Sequence, residues 1–114
     1  MKKIINIDLY KQKKLEKRYE EIIAIVNDDS YKFIVEDMTT VINNLYFSRE
    51  NKEYKFIIDF IKRESSLLLK NNNQFFNIEL EDYKYNRKDN SLELEYKISS
   101  DEEPFRIVIT EKED

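Results

Sequence analysis

Residues 91–98 read Ser-Leu-Glu-Leu-Glu-Tyr-Lys-Ile, so Leu92, Leu94, Tyr96 and Ile98 alternate with Glu93, Glu95 and Lys97. A period of two marks a half-buried strand, because successive side chains of extended backbone leave opposite faces. The pattern recurs on both sides. Phe76, Ile78 and Leu80 alternate with Asn77, Glu79 and Glu81, and Phe105, Ile107 and Ile109 alternate with Arg106 and Val108. Three antiparallel strands are therefore expected, each with one wet face, joined by turns within Arg87 to Asn90 and Asp101 to Pro104. Pro104 stands first in its strand, where a missing N–H does little harm.

At the other end of the chain, Ile5, Ile7 and Leu9 alternate with Ile4, Asn6, Asp8 and Tyr10, which predicts an opening strand. Tyr31 to Glu36, Thr39 to Ile42 and Leu45 to Arg49 read as further strands. Two segments are ambiguous. In residues 11–27, Leu15, Tyr19, Ile22, Ile23 and Val26 fall at helical spacing, yet Ile22 to Val26 is also a β-branched run ending at Asn27-Asp28-Asp29-Ser30. In residues 54–70, Phe56, Ile57, Phe60, Ile61, Leu67 and Leu68 would make a helix face, while Phe56, Ile58 and Phe60 also alternate; two strands broken near Arg63 to Ser65 are the favoured reading. The chain has no Gly, so its turns should use Asn and Asp, which best tolerate positive φ, at Asn43-Asn44, Asn71-Asn72-Asn73 and Asp89-Asn90.

Composition bounds the rest. A chain of 114 residues with 40% apolar and 13% aromatic content is expected to fold as one domain, 1–114, around one core. It has no Cys, no leader-like N-terminus and no apolar run long enough for a spanning helix, so a cytoplasmic, non-membrane protein is expected. The net charge of −4 hides a gradient: residues 1–18 carry seven cations against Asp8 and Glu16. Nucleic acid is not the expected partner, because binders of phosphate usually spread a basic face over the whole domain. The simpler reading is a basic turn that pairs with the chain's own acidic surface.

The order of these pieces resembles the YwiB-like family, small bacterial proteins of unknown function. The resemblance rests on Ile5 to Gln12 as an opening strand running into a Gln, and on Thr39-Thr40-Val41-Ile42. It rests also on Leu45-Tyr46-Phe47-Ser48-Arg49, and on Leu92-Glu93-Leu94-Glu95-Tyr96 with Ile107 to Ile109 as a closing hairpin. Two features depart from the family pattern: Glu50-Asn51 follows Arg49 where the family has Ser or Lys and then Gly, and the loop at Glu36 to Met38 is short. Asn51 is expected to take the Gly-like conformation. The resemblance implies a calycin-type fold, a single antiparallel β-barrel of eight to ten strands, and so resolves both ambiguous segments toward strands. The alternative is an α+β fold with helices at 11–27 and 54–70. No catalytic residues come with the resemblance.

The residues themselves close several routes to catalysis. Without His and Cys there is no Ser-His-Asp or Cys-His nucleophile and no ordinary transition-metal site. Without Gly there is no phosphate-cradling loop or dinucleotide fingerprint. No catalytic residue, metal or cofactor is therefore assigned, and a non-enzyme is expected. Glu79, Glu81, Glu93 and Glu95 alternate on neighbouring strands, and an outward face interleaved with Lys84 and Lys97 is the expected arrangement. Arg49 is in phase with Leu45 and Phe47, so it should point inward, either to hold a small-molecule ligand's carboxylate or phosphate or to pair with an acid such as Asp59. Tyr46 and Tyr96 add polar tips that could line the same cavity. The function expected is a non-catalytic intracellular barrel binding a small, partly apolar or anionic ligand; a module docking on a larger intracellular protein is the alternative.

Overall fold

The computed structural model describes residues 1–112 and contains strands but no helix. Ten strands run in order: β1 (Lys2–Lys11), β2 (Lys14–Asn27), β3 (Ser30–Val35), β4 (Met38–Ile42), β5 (Tyr46–Glu50), β6 (Tyr54–Asp59), β7 (Glu64–Leu69), β8 (Gln74–Lys88), β9 (Ser91–Ile98) and β10 (Phe105–Glu111). Each pairs antiparallel with the next, and β1 pairs with β10 from Ile5–Glu111 to Lys11–Phe105, closing a barrel. The α+β alternative is thereby corrected: both segments with helical spacing are strands.

The reason the first of them looked helical is a bulge. Ile5 pairs with Ile22 and Ile7 with Tyr19, so Glu20 and Glu21 together face Asn6. Glu21 takes φ 56°, and its N–H is held by the Asn6 side-chain oxygen at 3.0 Å. A bulge adds one residue, so the inward positions Tyr19 and Ile22 stand three apart, a helical interval on a strand. A second irregularity in β8, between Leu80 and Asp82, works the same way: Phe76, Ile78 and Leu80 face in before it, Tyr83, Tyr85 and Arg87 after it. These two strands are the longest in the fold. In residues 54–70 the cause is different, since Ile57 and Leu68 place apolar side chains on the outer face as well. The break falls at Phe60–Arg63, earlier than the sequence suggested, and Arg87 and Lys88 belong to β8, with the turn confined to Asp89–Asn90.

The interior is filled by alternate residues from every strand. Ile5, Ile7, Tyr31, Ile42, Phe47, Ile58, Leu92, Leu94, Ile107 and Ile109 are fully or almost fully buried. Phe47, Phe56, Tyr96 and Phe105 form one aromatic cluster, with ring centroids 5.6 Å apart for Phe47–Tyr96 and 5.5 Å for Tyr96–Phe105. Phe76, expected inside, is 45% exposed on the projecting β7–β8 hairpin.

Turns without glycine are made in two ways. Asn43, Asn51 and Asp59 each turn the chain through the side chain: Asn43 accepts from the N–H of Leu45 and Tyr46 at 2.8 and 2.9 Å, Asn51 from Glu53 and Tyr54 at 2.8 and 2.9 Å, and Asp59 from Ile61 and Lys62 at 3.0 Å. Asn51 therefore does not adopt the Gly-like φ expected of it. Positive φ occurs instead at Gln12, Glu21, Glu36, Asp37, Arg63 and Asn73, only the last of which was anticipated. A left-handed non-Gly residue costs about 1–2 kcal/mol. Gln12→Gly, at φ 58° in an exposed turn, is therefore expected to stabilise the barrel by about 1 kcal/mol in urea unfolding; an unchanged or lower midpoint would contradict this.

Candidate functional site

The two ends of the barrel differ in chemistry. At the end where β8 and β10 finish, four inward positions carry polar side chains: Lys3, Tyr31, Arg87 and Glu111. The Tyr31 hydroxyl donates to Glu111 Oε2 at 2.6 Å, and Lys3 Nζ lies 3.0 Å from Glu111 Oε1. The Arg87 guanidinium donates to the Tyr31 hydroxyl and lies over the Tyr31 ring, 4.4 Å from its centroid. Glu111 is 8% exposed. Burial alone would push its carboxyl up, but hydrogen bonds from Tyr31 and Lys3, with the charges of Lys3 and Arg87, hold it below the usual carboxylate range. Burial, joined by the bond to Glu111, pushes the Tyr31 hydroxyl up to about 12. This end is plugged by a satisfied polar cluster. The Tyr85 hydroxyl, also buried, has no hydrogen-bond partner among the described residues.

The opposite end is open. β2 pairs with β3 only at Ile25–Lys32, Val26–Tyr31 and Asn27–Ser30, whereas β3 pairs with β4 along its whole length to Val35–Met38. Beyond Ile25 the two strands diverge, and side chains bridge the gap: the Tyr19 hydroxyl donates to Glu36 Oε2 at 2.7 Å and Lys17 Nζ pairs with the same oxygen at 2.9 Å. These hydrogen bonds, Tyr19's first, hold the Glu36 carboxyl below its ordinary range. The tight turn at Glu36–Asp37, both with positive φ, aims Glu36 across the gap.

Behind this bridge lies a cavity of about 70 Å³, lined largely by Ile7, Leu9, Phe33, Val35, Met38 and Ile107, with Arg49 at its polar rim beside Thr40. It opens into a surface groove of about 520 Å³ whose walls include Leu9, Leu15, Phe105, Lys14, Lys17 and Arg49. Arg49 thus does face inward, as its phase with Phe47 requires. Its expected partner Asp59 is not available, because Asp59 pairs with Tyr46 at the far end of β5 and caps the β6–β7 turn. Among the described residues Arg49 forms no ion pair or hydrogen bond; its charge acts through space on Glu36 and on Tyr96.

Of the three residues singled out from the sequence, the fold brings two together. Tyr96 is buried in the aromatic cluster next to Arg49; burial raises its hydroxyl strongly, and the Arg49 charge opposes that rise. Tyr46 alternates with Phe47 and so lies on the other face of β5, near the Asn43 turn rather than the mouth. Tyr19 and Lys17 were missed because the bulge hid which face of β2 points inward, and Glu36 because it lies in the turn between β3 and β4, where no strand period applies. Arg87 was missed for the same reason in β8; Glu111 was missed too, although its phase with Ile107 and Ile109 is a signal that could have found it.

The remaining charges fall on the outer face. Glu95 stands between Lys84 and Arg106, Arg106 binds Glu93 at 2.6 Å, and Lys97 binds Glu81 at 2.6 Å. In the basic N-terminal segment Arg18 binds Asp8 at 2.7 Å, while Lys3 and Lys17 pair as described above. No protein-family model, curated protein or solved structure matches this chain.

Proposed function

We propose that the protein is a non-catalytic, intracellular small-molecule binder that takes a compact monoanion with a short apolar tail at the open mouth of its barrel. The observation that carries this reading is Arg49: an inward-facing guanidinium at the rim of an apolar cavity, with no carboxylate paired to it among the described residues. A planar guanidinium with free N–H groups suits a carboxylate, which it binds through paired charge-assisted hydrogen bonds. At about 70 Å³ the cavity is much smaller than the groove of about 520 Å³ outside it. The tail that enters it is short, and the rest of the ligand lies in the groove. The ten-strand meander fits membership of the YwiB-like family, which we propose on the order of its strands.

Calorimetric titration with octanoate, against octanol as the uncharged control, tests the reading. Octanoate is expected to bind, octanol at least tenfold more weakly, and Arg49→Met to weaken octanoate by about 10- to 100-fold, the worth of a charge-assisted bond of roughly 1.5–3 kcal/mol. Equal binding of both probes, or no loss in the variant, would remove Arg49 from the role. A second reading, a module docking on a larger protein, draws on Ile4, Ile23, Ile25 and Ile34, which are 41–66% exposed on the outer face of β1 to β3. Recovery of a stoichiometric partner that Ile23→Lys abolishes would favour it.

A further inference from the structure

Strand β8 has a free edge over its first half. On one side it pairs with β7 from Leu69–Gln74 to Glu64–Glu79; on the other, pairing with β9 begins only at Leu80–Ile98. The last main-chain bond on that side runs from the Ser99 N–H to the Glu79 carbonyl, 2.9 Å. Main-chain groups of successive strand residues point to alternate sides, so those of Phe75 and Asn77 share the side of Glu79. In agreement, the Ile78 carbonyl points the other way and accepts from the Ser65 hydroxyl. Phe75 and Asn77 therefore present two N–H and two C=O groups with no strand beside them among the described residues.

Nothing in the sequence blunts this edge. Residues 71–78, Asn-Asn-Asn-Gln-Phe-Phe-Asn-Ile, carry no charge and no Pro, and the irregularity of β8 lies beyond them. Phe75 is 61% exposed and Phe76 45%. Natural sheets usually protect such edges with Lys, Pro, a bulge or a covering loop.

We propose that this edge pairs with the same edge of a second copy of the chain, antiparallel about a two-fold axis through Phe76. Antiparallel pairing centred there sets Phe75 of each copy against Asn77 of the other, the two residues whose main-chain groups are free, and makes four hydrogen bonds. Phe76 meets its counterpart in a cross-strand aromatic pair. The only charge in the paired stretch, Glu79, falls opposite neutral Asn73, so no like charges oppose each other. An isologous contact of this kind closes on itself and stops at two chains. It is independent of the ligand at the barrel mouth.

Sedimentation equilibrium of the full chain from about 1 µM to about 1 mM, the range of a short interface, reads the outcome. The average mass is expected to rise from 14.0 kDa toward twice that value, and the Phe75 and Asn77 amides to exchange more slowly as the concentration rises. Asn77→Pro, which deletes an edge N–H, and Phe75→Lys, on the outer face and away from the core, are each expected to weaken association at least tenfold. Ile23→Lys, on the other exposed apolar patch, is expected to leave it unchanged. A mass that stays at 14.0 kDa throughout overturns the proposal, as does a dimer that survives Phe75→Lys or is lost in Ile23→Lys. Phe75→Lys alone decides if Asn77→Pro fails to fold.

Discussion

Ile107→Asp is expected to abolish cooperative folding. Ile107 is 2% exposed, pairs with Leu9 of β1 and Leu94 of β9, and forms part of the apolar wall of the cavity whose rim carries Arg49. A carboxylate placed there meets a desolvation penalty of several kcal/mol, against a total stability of about 5–15 kcal/mol for a domain of this kind. Far-ultraviolet circular dichroism with urea should show a sloping, non-sigmoidal loss of strand signal. A sharp transition in the variant would mean that β10 presents its other face to the core. The same substitution at Ile78 should be milder, because Ile78 is only partly buried at the margin of the core.

Glu111→Ala has the second-largest expected effect, about 3 kcal/mol of destabilisation. Removing this carboxylate leaves the Tyr31 hydroxyl without its acceptor and strands Lys3 and Arg87 at the plugged end of the barrel. Breaking one partner out of a buried ionic cluster typically costs about 3–5 kcal/mol, and the partial exposure of Lys3 and Arg87 places this case at the lower end. The effect has a pH signature. The folded carboxyl titrates below its ordinary 4.5, so its contribution is present above that value and is lost as the pH falls through the lowered folded value. The raised Tyr31 hydroxyl acts at the other extreme: its contribution is complete below 10 and disappears as the pH rises through about 12. Urea midpoints of wild type and Glu111→Ala should therefore differ most between pH 5 and 9 and draw together as the pH falls below 4.5. A gap unchanged at pH 3 would show that the carboxylate's charge is not what the cluster uses.

How much of this was written in the sequence depends on whether a strand keeps a regular period. β9, β10, β1 and the first half of β8 alternate without interruption, and each faces as their residues indicate except at Phe76, which is 45% exposed. β2 and β8 do not, because β2 carries two irregularities, opposite Asn6 and between the partners of Leu9 and Tyr10, and β8 one, each of which shifts the inward set by one residue. A local pattern contains no sign of such a shift, since it is specified by what lies opposite, as Asn6 does for Glu20 and Glu21. That is why Tyr19 and Arg87 escaped notice while Arg49, on a regular strand, was placed correctly. The turns were misjudged for another reason. Asn73 and Asp37 do take the positive φ that glycine would, but Asn43, Asn51 and Asp59 act through side-chain oxygens, and the remaining positive φ angles fall on Gln12, Glu21, Glu36 and Arg63. Whether Asp59 could reach Arg49 was out of reach of the sequence altogether, because the distance between them depends on where the β5–β6 hairpin sets its register.

Closure of the ring by β1 and β10 also bears on how the chain reaches this state. Every other pairing joins neighbours in sequence across a short turn, so each hairpin can form early at small entropic cost. The final pairing alone must bring together residues some hundred positions apart, and that loop entropy has to be met before any contact repays it. Tyr31 and Glu111 are separated by 80 residues, and Lys3 and Glu111 lie on the two strands that meet last. The ionic cluster that plugs the barrel is thus assembled in the same late step that seals it, and acts as a latch whose loss is expected to speed unfolding far more than it slows folding.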